Sequence, residues 1–116
     1  MYSLDVERYE HITLIRFAGD MTLAHAVQLR SEIEGVLKST KAKDVVLDLG
    51  LTREVDNSGL GALVGASTSA RSWGKRLMLY NPAPNVLQTL DAAEISGFFP
   101  MLDSEHDLKS RLGNRL

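Results

Sequence analysis

A nearly continuous apolar run in the middle of the chain constrains the fold more than any other feature. It spans residues 45–49 and reads VVLDL. Runs of this kind are typical of strands covered on both faces, as in the middle of a parallel or mixed sheet. A second run, LMLY at residues 77–80, follows a segment of helical length at 58–72 that is rich in Gly, Ala and Ser. Two buried strands joined through a helix predict a strand-helix-strand unit.

The flanking residues extend this unit to a complete order of elements. Residues 3–8 and 11–17 predict two strands around a hairpin turn, because β-branched residues and alternation dominate there. We expect Thr22 to cap the next helix. The residues predicted to form the buried stripe of that helix are Leu23, Val27, Ile33, Val36 and Leu37. Residues 50–54 are predicted to form a polar loop after the first buried strand.

The last part of the chain predicts two further helices and a short strand. We expect a helix over 85–93 that buries Val86, Leu87 and Leu90, a strand over 97–101, a helix over 105–112 and a frayed tail over 113–116. The order β-β-α-β-α-β-α-β-α predicts an α/β fold. Its sheet would be mixed and mostly parallel, with about five strands covered by about four helices.

Length and composition exclude several classes of function. A chain of 116 residues fits a single domain over 1–116. It has no cysteine, and its three histidines lack ligand spacing, so no metal site is expected. The net charge of −2 comes with no basic face, which argues against nucleic-acid binding. No signal peptide or membrane-spanning segment is predicted, so we expect a cytoplasmic protein that does not insert into membranes.

The segment Asp56-Asn57-Ser58 opens the predicted Gly/Ala/Ser-rich helix. Asp, Asn and Ser are all preferred capping residues, so each of the three could accept a hydrogen bond from a first-turn amide. The free amides and the helix dipole would favour an anion on Ser58 by about 0.3–1 kcal/mol. Local chemistry alone favours a simpler role, in which Ser58 caps the helix and contributes about 1 kcal/mol of stability.

Motifs for catalysis or nucleotide binding do not fit the sequence. The glycines at 59–65 have the spacing G-x-G-x-x-x-G, one residue longer than the dinucleotide fingerprint, and no Walker loop is present. Asn57 precedes Ser58, so the G-x-S-x-G elbow of hydrolases is absent as well. We therefore expect neither an enzyme nor a bound cofactor. Trp73 is interpreted as a cover over the edge of the core, with a partner-binding anchor as the alternative.

From Gly19 to Asp103 the sequence resembles the STAS family, the domain of anti-sigma factor antagonists and of sulfate-transporter tails. The resemblance rests on motifs in the right order: Gly19-Asp20-Met21-Thr22-Leu23, the strand at 45–49, Asp56-Asn57-Ser58-Gly59-Leu60-Gly61, Gly74-Lys75-Arg76-Leu77 and Asn81-Pro82-Ala83-Pro84-Asn85-Val86. The buried V-L-D-L strand followed by D-x-S-G-L-G is a fairly specific signal for the fold. It is less specific for the branch of the family.

The antagonist branch supplies the expected function. The resemblance implies that Ser58 is phosphorylated by a partner that is both serine kinase and anti-sigma factor, and that a cognate phosphatase resets it. The unphosphorylated form would bind this partner and release a sigma factor, which regulates transcription in bacteria. The residues implied to support the phosphosite or to bind the partner are Asp20, Thr22, Asp56, Asn57, Gly59 and Leu60.

Three departures from the antagonist pattern leave alternatives open. Asn57 stands where Ser or Thr is common, Thr22 where many antagonists have Asp, and residues 91–95 replace a common T-G-L turn. One alternative is a STAS subunit of a membrane transporter or lipid-trafficking ABC system, which would need no phosphate on Ser58. Another is a scaffold subunit of a sensory assembly. The sequence also leaves open whether the free protein is a monomer or a dimer.

Overall fold

The computed structural model describes residues 1–116 and has a five-stranded sheet with the order β1-β2-β3-β4-β5. β1 is antiparallel to β2, and the other neighbours are parallel. The elements are β1 (Tyr2–Arg8), β2 (Ile12–Met21), α1 (Ala26–Ser39), β3 (Asp44–Val55), α2 (Asn57–Ser72), β4 (Arg76–Tyr80), α3 (Pro84–Ala92), a 3₁₀ turn (Ser96–Phe98), β5 (Met101–Leu102) and α4 (Glu105–Leu112). The predicted order of elements and the mixed α/β fold are confirmed.

The sheet separates two hydrophobic cores. Successive residues of β3 point to opposite faces, so Val45 and Leu47 join the larger core while Val46 joins the smaller one. The larger core lies between the sheet and helices α1, α2 and α3, whose buried contributions include Leu29, Ile33, Leu63, Val86 and Leu90. The smaller core lies under α4, through Leu108. The strand at 45–49 is therefore covered on both faces, as its composition predicts.

β3 is longer than the sequence predicts, because it extends from Asp44 to Val55. The predicted loop at 50–54 continues the strand and pairs with the end of β2, through Ala18 opposite Leu51, Gly19 opposite Thr52 and Met21 opposite Val55. Thr52 is only 4% exposed, while Leu51 beside it is 73% exposed. Such alternation is typical of a strand with one buried face. The polar composition of residues 50–54 hides this pattern in the sequence and favours a loop instead. As a result β2 and β3 end side by side.

The start of α1 also differs from the prediction. The helix begins at Ala26, and its N-cap residue His25 makes no side-chain capping bond. Thr22 instead forms a turn in which its carbonyl accepts the amide of His25 at 2.9 Å. Leu23 and Val27 are 74% and 84% exposed, so they lie outside the core. The buried stripe is formed by Ala26, Leu29, Ile33 and Leu37.

Three smaller expectations need correction. Leu87 is 37% exposed, and the last strand is shorter than predicted because a 3₁₀ turn precedes Met101–Leu102. Residues 113–116 are not frayed, since the amide of Leu116 donates to the carbonyl of Arg8 at 2.9 Å.

Trp73 is 38% exposed at the end of α2, with the ammonium of Lys38 5.3 Å from the centre of its ring. None of the helices has the length and apolar character needed to cross a bilayer.

Candidate functional site

The first turn of α2 lies where β2 and β3 end together. α2 begins at Asn57, two residues after β3 ends at Val55. Asp56 between them has extended backbone dihedrals and caps the helix, because its Oδ1 accepts the amide of Gly59 at 3.0 Å. The proposed capping role of Ser58 is therefore taken by Asp56. Ser58 becomes the second residue of the helix, and its hydroxyl has no capping task.

Asp56 also fixes the loop between β2 and α1. Its Oδ2 accepts the backbone amide of Leu23 at 3.0 Å, and its own amide donates to the carbonyl of Met21 at 3.2 Å. Hydrogen bonds from the amides of Gly59 and then Leu23 favour the ionised carboxylate and hold the pKa of Asp56 below its ordinary value. One side chain thus joins two segments that the sequence singled out separately.

Gly59 and Leu60 set the position of α2 from inside. A Cβ on Gly59 would overlap the carbonyl oxygen of Met21 and lie 2.9 Å from the Cβ of Met21, so only glycine fits this approach of helix and strand. Leu60 is 7% exposed and belongs to the larger core. Both residues are buried. The exposed surface of the first turns therefore continues from Ser58 to Gly61.

Ser58 is half-buried at a shallow groove between α1 and α2. The groove has a volume of about 310 Å³, and its lining residues are Ala26, Val27, Arg30, Ser58, Gly61 and Ala62. Most of these are small or apolar, and Arg30 is the one charged member. The exposed Leu23 lies at the same end, since its amide is bound to Asp56. A hydroxyl beside an apolar groove and exposed aliphatic side chains is suited to contact with another protein.

The remaining predicted site residues lie near Ser58 in sequence or on the neighbouring strand. Asn57 is exposed as the first residue of α2, and Asp20 and Thr22 are half-buried at the end of β2. One carboxylate oxygen of Asp20 is buried without a hydrogen-bond partner. The connection from this end of β2 to α2 runs through the backbone of Met21 and Leu23, which bind Asp56.

Leu23, Val27 and Arg30 also lie at this candidate site, and they are not among the residues that the sequence predicts there. Their aliphatic character predicts Leu23 and Val27 on the buried face of the helix, which the structure contradicts. The spacing of Ala26, Leu29, Ile33 and Leu37 follows the 3.6-residue period better and leaves Leu23 and Val27 outside. That spacing is the sequence signal that could have identified them. No group of three or more His, Cys, Asp or Glu side chains in the structure could hold a metal ion.

Comparison with known proteins identifies relatives of the same fold. The family model of the STAS domain matches residues 3–108. An anti-sigma F factor antagonist of Paenibacillus polymyxa is 21% identical over 102 residues, which cover 88% of this chain and 87% of that protein. An anti-sigma factor antagonist from Mycobacterium paratuberculosis superposes with a TM-score of 0.80 at 15% identity, over 96% of this chain and 94% of that one.

A Bacillus protein gives a second structural comparison, in two states of phosphorylation. The antagonist SpoIIAA in its unphosphorylated form superposes with a TM-score of 0.73 at 17% identity, over 93% of this chain and 95% of that one. Its phosphorylated form gives 0.67 at 16% identity, over 93% and 98%. These likenesses show the fold, and the family model covers nearly all of the chain. The chain belongs to the STAS domain family.

Proposed function

We propose that this protein is an anti-sigma factor antagonist that binds an anti-sigma factor through the groove beside Ser58. The names of the related antagonists support the class of partner. The observation that carries the proposal is that Asp56 caps α2. Because Ser58 makes no capping hydrogen bond, its hydroxyl can be modified without loss of the helix cap. It lies at the edge of a groove that includes apolar side chains.

Phosphorylation of Ser58 would act as the switch. Its Oγ would attack the γ-phosphorus of an ATP held by a partner serine kinase. A bond from Oγ to phosphorus forms, the bond from that phosphorus to the β,γ-bridging oxygen breaks, ADP leaves and the hydroxyl proton is released. A cognate phosphatase would reverse the state by hydrolysis to serine and inorganic phosphate. The role of this chain is binding, and the chemistry belongs to its partners.

The charge of the phosphate explains why binding would be lost. A phosphoserine carries about −1.5 to −2 charges at pH 7, and it would stand two residues from the carboxylate of Asp56. Burying such a group in an interface costs several kcal/mol per ion, and about 1.4 kcal/mol already changes affinity tenfold. The fold itself would remain, because Ser58 is only half-buried and does not cap the helix. The proposed role places the protein in the cytoplasm, where transcription is regulated in bacteria.

The modification itself is tested with the candidate kinase and ATP. We expect a mass increase of about 80 Da, that of one HPO₃ group, in the wild type and in Ser31→Ala, and none in Ser58→Ala. Ser31 is a suitable control because it is an exposed serine on α1. Modification that persists in Ser58→Ala would overturn the assignment of the site.

The switch is tested by the affinity of the unmodified protein for the anti-sigma factor. We expect Ser58→Ala to bind within a few-fold of wild type and Ser58→Asp to bind at least tenfold more weakly, by calorimetry at constant salt. Equal affinities of Ser58→Ala and Ser58→Asp would contradict a charge-controlled contact. Binding to a transporter ATPase instead, together with an unmodified Ser58, would support the transporter alternative.

A further inference from the structure

We propose that Arg30 is the intramolecular partner of a phosphate on Ser58, and that this pair covers the groove between α1 and α2. The inference rests on the proposed phosphorylation of Ser58 and adds a regulatory contact within the chain. Arg30 is the one charged residue that lines the groove together with Ser58. Phosphoserine pairs strongly with arginine because the guanidinium donates several hydrogen bonds in one plane.

α1 and α2 run side by side in the same direction, which brings successive turns into contact. Ala26 lines the groove with Ser58, and one turn further along α1 Arg30 lies against Gly65. Another turn on, Oε2 of Glu34 lies 2.5 Å from Oγ of Ser69. Arg30 is thus placed between the first turn of α2 and its middle. Its side chain could turn toward either end of this interface.

In the unmodified protein the guanidinium of Arg30 lies against Gly65 and pairs only weakly with Glu34. Its Nε is 3.4 Å from Oε2 of Glu34, in a pair that is exposed to solvent. An arginine that precedes its glutamate by four residues has the less favourable order for a helical ion pair. Glu34 has a second partner in Ser69, so it would keep a hydrogen bond if Arg30 left.

The path from Arg30 to Ser58 is open. A Cβ on Gly65 would lie 2.6 Å from Cζ of Arg30, so the guanidinium rests directly on the helix backbone there. A Cβ on Gly61 would meet nothing within 4 Å, which leaves free space between Gly65 and Ser58. Side chains of a helix also lean toward its N-terminus, and for Arg30 this is the direction of Ala26 and Ser58. A doubly charged phosphate would attract Arg30 more than the single charge of Glu34 does.

Phosphorylation of Ser58 would therefore have two effects on the groove: it would add negative charge, and it would cover the groove. In the unmodified protein Arg30 leaves Gly61 exposed on the floor of the groove. In the phosphorylated protein the guanidinium would lie across this floor, held by the phosphate. The surface offered to the anti-sigma factor would then be covered by a side chain of the same molecule.

The experiment places phosphoserine at position 58 during translation, so no kinase is needed. The second pKa of the phosphate is followed by ³¹P NMR in the phosphoprotein and in its Arg30→Gln and Arg71→Gln variants. Arg71 is an exposed arginine at the other end of α2, where it donates to the carbonyl of Phe98 at 3.2 Å. We expect Arg30→Gln to raise this pKa by roughly 0.5 unit and Arg71→Gln to leave it unchanged, because an exposed ion pair is weak but favours the dianion.

The outcomes separate this pair from the proposed function. Equal values for the phosphoprotein and for Arg30→Gln overturn the pair, as does an equal rise in Arg71→Gln, which would indicate only a long-range field. Arg30→Lys tests the geometry, and we expect it to keep part of the effect through its charge. Failure of every candidate kinase to modify Ser58 would count against the proposed function while leaving the measured pKa difference intact.

Discussion

The backbone amide of Leu23 donates a hydrogen bond of 3.0 Å to Oδ2 of Asp56, across 33 positions of the sequence. The other oxygen of the same carboxylate accepts the amide of Gly59 at 3.0 Å. The loop before α1 and the first turn of α2 are therefore held by one side chain. Ser58 lies between Asp56 and Gly59 in the sequence, so the hydrogen bond between these two residues fixes its position.

Removal of this carboxylate should change the dependence of stability on pH. The folded protein holds the pKa of Asp56 below its usual 3.8. The carboxylate therefore contributes its full stabilisation above that usual value, and the contribution is lost as the pH falls through the lower, folded pKa. We expect the urea midpoint of Asp56→Asn to fall less than that of wild type between pH 5 and about pH 3. Asp91→Asn, at an exposed residue at the end of α3, should follow wild type. Parallel curves for wild type and Asp56→Asn would show that the two amide bonds do not favour the ionised form.

Gly59→Ala should destabilise the protein, because the new methyl group meets backbone atoms of Met21. We expect a loss of about 1–3 kcal/mol in the free energy of unfolding, as for an overpacked core. Gly35→Ala is the matched control, since a Cβ there meets nothing within 4 Å in the exposed face of α1. It should stabilise by about 0.5–1 kcal/mol through helix propensity. Urea denaturation measures both, and a Gly59→Ala variant at least as stable as wild type would contradict the close contact at Gly59.

The exposed aliphatic residues beside the groove should affect binding and leave stability unchanged. Leu23 and Val27 are 74% and 84% exposed. The double variant Leu23→Ser with Val27→Ser should stay within about 0.5 kcal/mol of wild type in stability and bind the anti-sigma factor at least tenfold more weakly. Leu29→Ala, at a fully buried residue of α1, should lose about 2–5 kcal/mol in the free energy of unfolding. A double variant that binds like wild type would contradict docking of the anti-sigma factor at this groove.

Two serines near helix starts should respond differently to alanine. The hydroxyl of Ser104 caps α4 by accepting the amide of Asp107 at 3.0 Å, whereas α2 is capped by Asp56. We expect Ser104→Ala to cost about 1 kcal/mol in the free energy of unfolding. Ser58→Ala should stay within about 0.5 kcal/mol. A larger loss in the free energy of unfolding for Ser58→Ala than for Ser104→Ala would show that the Ser58 hydroxyl stabilises the fold.

The middle of the sheet is predictable because residues 45–49 of β3 are covered on both faces and are therefore mostly apolar. The end of β3 is not predictable because its residues are mostly polar. The run at 45–49 is apolar on successive residues, which only a covered strand tolerates, so its place in the middle of the sheet followed from the sequence. Residues 50–54 pair with β2 alone, because β4 ends at Tyr80 opposite Asp48. Strands with one neighbour carry polar side chains, and such a segment is hard to distinguish from a loop. The pairing of 113–116 with the turn after β1 depends on distant contacts and left no local pattern.

The sequence motif predicts part of the candidate site, whereas the part that depends on helix packing has no local sequence signal. The residues 56–58 indicate a helix start at any of three positions, and only the hydrogen bonds of Asp56 select one. The family resemblance implies Asp20 and Thr22 as supporting residues, and both lie at the adjoining end of β2. Arg30 carries no motif. Its relation to Ser58 arises from the alignment of α1 with α2, which a single sequence does not encode locally.

The pairing of the last residues with the turn after β1 makes one end of this molecule convenient for attachment. Arg115 pairs with Tyr9 in the turn just before β2, whereas Ser58 lies past the far end of β2 at Met21. A ten-residue strand spans roughly 30 Å, so a dye or a surface tether joined after Leu116 would stand well away from the groove. The rate of the proposed association with an anti-sigma factor could then be measured on immobilised protein, with the proposed contact surface unobstructed.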